Sequence, residues 1–235
     1  MRPSFGALTL AVALGLTLLP LAPAGARAPS GEDVLKVAAP APDVAARLKR
    51  FVNVKLGVKG DGVDAALRPM LSHLKSAADS IDRIYWAQRS PEGRRMLDAL
   101  AGVPGRDASN LADLLRIQYG PWDWYSNDEP FVGHERRPPG VAFYPADASR
   151  RELDAWTRAN LEGAAAIWDP YTVVRRDGVG LQALPYSTAY KAELAQAADA
   201  LRDAAGAYSC TGTECPCAGF ASFLRARATS FGNDD

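Results

Sequence analysis

The side chains able to do chemistry in this sequence are few, and their spacing limits what that chemistry can be. There are two histidines. His73 sits between Ser72 and Leu74 in a stretch of helical periodicity and reads as an ordinary helix residue. His134-Glu135 opens like the zinc-binding pattern H-E-x-x-H, which sets two imidazoles one turn apart on a helix face. Pro138 stands where the second imidazole would be needed, and Pro138-Pro139 forbids the helix. No catalytic residue and no metal ligand is assigned to this chain on these grounds.

Cys210, Cys215 and Cys217 crowd into one short stretch. Cysteines of exported proteins usually end as disulfides, so Cys210 paired with either Cys215 or Cys217 would close a loop and leave one odd thiol. A zinc knuckle would need a fourth ligand, and no histidine lies nearby. A third group mixes aromatics with acids: Trp122, Asp123, Trp124, Tyr125, Asp128 and Glu129. Aromatic faces stack on sugars and glycosidases work with two carboxylates, so a glycan-active site is one reading. The other is a set of rings pinning an irregular loop to the core. Phe143 and Tyr144 extend this aromatic surface, and the six residues Trp122, Asp123, Trp124, Tyr125, Phe143 and Tyr144 form the candidate cleft or surface loop. The sequence contains neither G-x-S-x-G nor a phosphate-binding P-loop.

The elements that must position these residues are mostly helices. Asp43 to Lys55 has Asp43 at the N-cap and Val44, Leu48, Phe51 and Val52 on one face. Val63 to Gln88 carries Leu67, Met70, Leu71, Leu74, Ala78, Ile81, Ile84 and Tyr85 at three- and four-residue steps, with Pro69 suited to a first turn. Ser90-Pro91 ends it. Met96, Leu97 and Leu100 start another turn or two, closed by Gly102 and Pro104, and Asp107 or Ser109 caps a short helix through Ile117. From Tyr119 to Pro145 prolines and glycines break all periodicity, which predicts a long ordered loop with short strands. Asp147 is expected to cap a helix from Ser149 to about Ala166. Asp177-Gly178 between Tyr171–Arg175 and Gly180–Tyr186 predicts a β-hairpin. Ser187 opens a helix running to Ala207, and Phe220 to Phe231 makes the last. The fold class is therefore mainly α with a small β-hairpin and an irregular β region (α+β).

The start of the chain reads as a secretion signal. Arg2 is followed by an apolar run from Ala7 to Leu19, then Pro20, Pro23 and small residues at cleavage spacing after Ala26 or Ala28. Ala26 is preferred, because the other cut would leave Pro29 first. The run is shorter than the roughly 20 residues of a spanning helix. Residues 1–26 are expected to be a signal peptide, 27–42 a flexible leader and 43–235 the folded region, in the periplasm or secreted. Charge is balanced, with Lys+Arg 27 and Asp+Glu 27. That leaves no electrostatic footprint for nucleic acid, and no membrane association is expected after signal cleavage.

Several segments together resemble one family. They are Ile81-Asp82-Arg83-Ile84-Tyr85-Trp86-Ala87-Gln88, Tyr119-Gly120-Pro121-Trp122-Asp123, Pro130-Phe131, Phe143-Tyr144-Pro145-Ala146-Asp147, Tyr171-Thr172-Val173-Val174-Arg175-Arg176, and Pro185-Tyr186-Ser187 with Ala189-Tyr190. In order and approximate spacing, from about Leu67 to Asp235, they look like the bacterial branch of the dipeptidyl peptidase III zinc metallopeptidases. The resemblance implies a hydrolase that removes dipeptides from peptide N-termini. It also implies peptides as partners and zinc as cofactor in the full-length family, held by an H-E-x-x-x-H motif and a downstream Glu. That motif is absent from this sequence, so no bound zinc is expected in this chain. The expectation is an incomplete, N-terminal portion of a two-lobed metallopeptidase, truncated at Asp234-Asp235 and inactive alone. The chain departs from the family's pattern in its cysteine stretch and at Val141-Ala142-Phe143, where Ala-Asn-Phe is more usual.

Overall fold

The computed structural model describes residues 39–57, 67–178, 180–207 and 218–234. The expected signal peptide (1–26), residues 27–38 of the expected leader (27–42) and all three cysteines lie outside the described residues. Twelve regular elements follow one another within them. Helix α1 is Val44–Leu48, α2 Arg68–Arg89, α3 Pro91–Ala99 and α4 Arg106–Gln118. Strands β1 (Trp122–Asp123) and β2 (Glu129–Pro130) form a minimal hairpin, and α5 spans Arg150–Ala159. Strands β3 (Thr172–Asp177) and β4 (Gly180–Pro185) form the second antiparallel pair. Helices α6 (Tyr186–Ala189), α7 (Lys191–Ala207) and α8 (Ala218–Ser230) complete the order. The fold is mainly helical with two small antiparallel sheets, as the sequence pattern predicts.

Four apolar clusters hold these elements. In the first, α2, α7 and α8 pack through Met70, Ala77, Leu201, Ala204, Leu224 and Ala228. The many alanines on α7 let its neighbours approach closely, which is why a helix of low amphipathic contrast can be buried between two others. The second cluster joins α1 and α4 to the loop after β2, with Leu111, Leu114, Leu115, Phe131 and Val132 at its centre. The third joins α5 to the β3–β4 hairpin through Leu153, Ile167, Val174 and Leu181, and the fourth ties Ile84 of α2 to Val173 and Tyr190.

The long helix begins at Arg68 with Pro69 in its first turn and stops at Ser90, as expected. Ser90 then caps α3, its hydroxyl accepting from the Gly93 N–H at 2.9 Å. The hairpin register pairs Asp177 with Gly180, and Gly178 has the positive φ of 58° that the turn requires. Other boundaries differ from the sequence reading. Helix α1 is five residues long, and Val52 is exposed; the β-branched Val52 and Val54 disfavour helix and find nothing to pack against. Gly105, rather than Asp107 or Ser109, occupies the N-cap of α4. Ser149 caps α5, because the Asp147 carboxylate is taken by Arg176 of β3. Helix α5 stops at Ala159, where Gly163 folds back under the Trp156 ring. The expected helix from Ser187 is split at Tyr190 into α6 and α7.

One close approach depends on two glycines. The start of α3 lies against the residue after α4, so that a Cβ on Gly93 would sit 2.7 Å from the Gly120 Cα. Gly120 has φ 152°, and a Cβ there would meet the Ser90 Cβ at 2.8 Å. Gly120→Ala is expected to destabilise the protein by about 2–4 kcal/mol, the sum of overpacking and unfavourable backbone. Denaturant unfolding measures this, and a loss below about 0.5 kcal/mol would mean that α3 shifts freely away from α4.

Candidate functional site

The loop from Tyr119 to Pro145 carries most of the candidate residues, and its geometry starts at the end of α4. Tyr119 takes a left-handed conformation (φ 54°), which turns the chain off the helix axis. Its hydroxyl donates to Asp82 of α2 at 2.6 Å, and its ring meets Tyr85 edge-on and Trp86 at a tilt. The hydrogen bond to Asp82 comes first among the causes that push the Tyr119 phenol up to about 12, followed by burial. After β1 the chain makes a 3-10 turn, Trp124–Ser126, and Asn127 and Asp128 both take left-handed conformations before β2.

Asp123 is the electrostatic centre of this loop. It is fully buried, at 0 % exposure. Arg47 Nη1 donates to its Oδ2 at 3.1 Å, and Arg50 donates to the same oxygen. Gln118 Nε2 and the Tyr125 N–H donate to Oδ1 at 3.1 and 3.0 Å, and Ser126 Oγ donates to Oδ2 at 3.1 Å. Burial alone would raise the carboxyl pKa, but the donors Arg50, Ser126 and Arg47 and the Tyr125 N–H together hold it below the ordinary carboxylate range. A carboxylate so saturated with donors is fixed in its ionised form and is shielded from any substrate.

The remaining candidates divide between two surfaces. Trp124 and Tyr125 face outward, at 54 % and 75 % exposure. The Arg89 guanidinium lies 4.4 Å from the centre of the Trp124 ring, and Phe51 packs edge-on against Tyr125. Trp122 and Tyr144 turn the other way and line one cavity of about 590 Å³ together with Glu92, Glu135, Arg136 and Arg175. Trp122 donates its indole N–H to the Glu135 carbonyl at 2.9 Å, and the Tyr144 hydroxyl donates to the Ile167 carbonyl at 3.1 Å. Phe143 belongs to the core instead, packed beside Ile84, Val173 and Tyr190, with its carbonyl accepting from the Val174 N–H at 2.7 Å. Thus two of the six candidate residues share a cavity, two lie on the open surface, and Asp123 and Phe143 are structural.

Ala142 lies on the cavity wall with φ 61°, and its carbonyl accepts from Arg175 at 3.0 Å. Asparagine enters this left-handed region more readily than alanine. Ala142 thus holds a backbone conformation that favours asparagine.

His73 is partly exposed on α2, with Nδ1 3.9 Å from Asp203, and His134 is exposed on the loop. Among the described residues no three of His, Cys, Asp or Glu are grouped as metal ligands. The described residues do not fit a zinc site, and no step of chemistry is routed through one. The side chains that sequence reading missed are arginines. Arg47 and Arg50 reach Asp123 across more than 70 positions, and Arg89, Arg137 and Arg175 are drawn to the loop by its fold. No local pattern marks such partners, since each pair is made by tertiary structure.

The described residues form a mainly helical α+β fold with an irregular aromatic loop fixed between helices. Two solved structures share this fold. The chain matches the structure of DPP III from Caldithrix abyssi with a TM-score of 0.74 and 28% identity, over 81% of this chain and 35% of that one. It matches dipeptidyl-peptidase III from Corallococcus sp. strain EGB with a TM-score of 0.73 and 26% identity, over 83% of this chain and 36% of that one. The chain thus has the fold of an N-terminal portion of a DPP III-like protein and spans about a third of the length of these neighbours. No protein-family model and no curated protein matches it. Among the described residues, no helix is long and apolar enough to cross a membrane.

Proposed function

We propose that this chain is the N-terminal part of an exported, dipeptidyl-peptidase-III-like zinc hydrolase that removes dipeptides from peptide N-termini. The observation that carries the reading is the match to two bacterial DPP III structures over more than four-fifths of the chain. In such an enzyme this region supplies scaffold and part of a cleft wall around a zinc site held by later residues. The apolar run from Ala7 to Leu19 and the small residues before Arg27 support export to the periplasm or outside the cell.

The expected behaviour of the chain alone is no dipeptide release, because the sequence carries no H-E-x-x-x-H. Mixed with the portion of the Caldithrix abyssi protein that it does not match, it is expected to restore zinc-dependent release of dipeptides. Metal analysis and a chromogenic dipeptide substrate read both arms. Stoichiometric zinc with chelator-sensitive release from the chain alone would overturn the inactivity. Failure to bind or activate the complementary portion would overturn the reading that this region supplies scaffold and cleft wall to a zinc site held by later residues.

A second reading rests on the exposure of Trp124 and Tyr125: a non-catalytic binding module that uses the aromatic loop 119–144. It requires the chain to be monodisperse, to unfold cooperatively by itself and to bind a peptide or oligosaccharide through that loop. A flat tryptophan-fluorescence response to oligosaccharides removes the glycan-active alternative.

A further inference from the structure

We propose that Arg89, which lies against Trp124, and Arg137, which shares Asp128 with it, form an oxyanion-binding site at the tip of the aromatic loop. The charges there do not balance. Arg137 Nη1 donates to Asp128 Oδ2 at 3.2 Å, while Arg89 Nη2 stands 3.9 Å from Asp128 Oδ1. Two guanidiniums therefore share one carboxylate, which is itself partly exposed. The surplus is one positive charge in a partly desolvated place, and burial followed by the repulsion of Arg137 lowers the Arg89 pKa from its ordinary value.

The donors do not balance either. The Arg89 side chain is 10 % exposed, yet its only acidic neighbour among the described residues is the one beyond hydrogen-bond distance. Arg137 Nε is buried and makes no hydrogen bond. Buried donors are rarely left so, and an orphan of this kind is commonly the place of a bound ion or water. The Arg89 guanidinium carbon lies 4.4 Å from the centre of the Trp124 ring, and a guanidinium offers paired N–H donors that suit a carboxylate or a phosphate. The left-handed pair Asn127 and Asp128 holds the loop tip at this spot, so the site is built by backbone as well as by charge.

The ligand chemistry is a small oxyanion, and its two sources are phosphate groups and carboxylates such as a peptide C-terminus. Arg89, Asp128 and Arg137 do not line the cavity of Trp122 and Tyr144, although Ser90, Arg136 and Pro138 next to them do. The test uses the whole chain with ¹⁵N-labelled arginine side chains, titrated with sodium phosphate and separately with sodium acetate at constant ionic strength. Saturable shifts of the Arg89 and Arg137 Nε–H signals are expected with at least one of the two, and which one responds identifies the source. Arg137→Gln is expected to weaken binding about tenfold or more. Asp128→Asn is expected to tighten it several-fold, because it removes the competing carboxylate. Circular dichroism confirms that each variant is folded, and a variant that fails to fold is replaced by Arg137→Lys, expected to weaken binding less than Arg137→Gln. Non-saturable shifts, or binding that Asp128→Asn weakens, would overturn the site and leave the cluster a purely structural ion pair.

Discussion

Asp123→Asn is expected to cost about 3–5 kcal/mol of folding stability, because it leaves a buried guanidinium without its counter-charge. The Arg47 side chain is nearly as buried as the carboxylate it serves. Its other acidic partners, Asp43 and Glu129, are both well exposed. Solvent weakens those two pairs, so they cannot replace Asp123. The substitution keeps the shape and one acceptor oxygen, removes the charge and turns the other oxygen into an NH2 that faces donors. The loss is therefore electrostatic rather than a cavity effect. The pH dependence follows from the same contacts. Asp123 has a folded pKa below its unfolded value, so its contribution is fully present above the ordinary carboxylate pKa of about 3.9. It is lost as pH falls from there through the lower folded pKa. Urea unfolding at a series of pH values should show the wild type and the variant well separated at neutral pH and converging below about pH 4. A difference under about 1 kcal/mol at neutral pH would mean that Arg47 and Arg50 find water instead, and that the loop is not locked by this carboxylate.

The same residue shows how far the sequence could be read. Its type and its neighbours, Trp122 and Trp124, marked it as a candidate acid, and nothing local showed that two arginines of the first helical segment would close on it. Periodicity carried α2 to within a residue of its C-terminal end, because its stripe of Met70, Ile84 and their neighbours is long enough for a helical period to dominate, while Pro69 rather than the pattern from Val63 marked its start. The β3–β4 hairpin was legible from Asp177-Gly178, whose turn geometry only a few residues satisfy. The short elements were not. Helix α1 is set by what it packs on and by where Arg47 reaches, and α5 is stopped by the fold of Gly163 under Trp156. The sorting of the aromatic residues was equally out of reach. Trp122 faces a cavity, Asp123 the interior and Trp124 the solvent, and this alternation is set by a strand of two residues followed by a 3-10 turn. Only the family resemblance placed these segments in one fold, and the match to solved DPP III structures agrees with it.

Phe131→Ala is expected to be the most damaging apolar truncation, at about 3–5 kcal/mol. Phe131 is 0 % exposed and packs in the cluster of Leu111, Leu114 and Leu115 on α4. Its backbone joins three segments: its N–H donates to the Pro121 carbonyl at 2.9 Å, and its carbonyl accepts from the Ala41 N–H at 2.9 Å. Pro40 and Val132 bridge beside it. Phe131 thus ties the first half of the aromatic loop and the segment before α1 to a single helix. Removing it should loosen that loop in addition to lowering global stability. Native-state trypsin cleavage after the exposed Arg136 should therefore speed up by more than the global loss accounts for. Leu224→Ala provides the comparison, since Leu224 is buried on α8 in a different cluster. It should cost about 2–5 kcal/mol and change cleavage at Arg136 only in proportion to global unfolding. Equal acceleration by the two variants at equal stability loss would show that the loop opens only when the whole protein unfolds. Phe131 would then be one core residue among many, and the loop's order would rest on the Asp123 ion pairs instead.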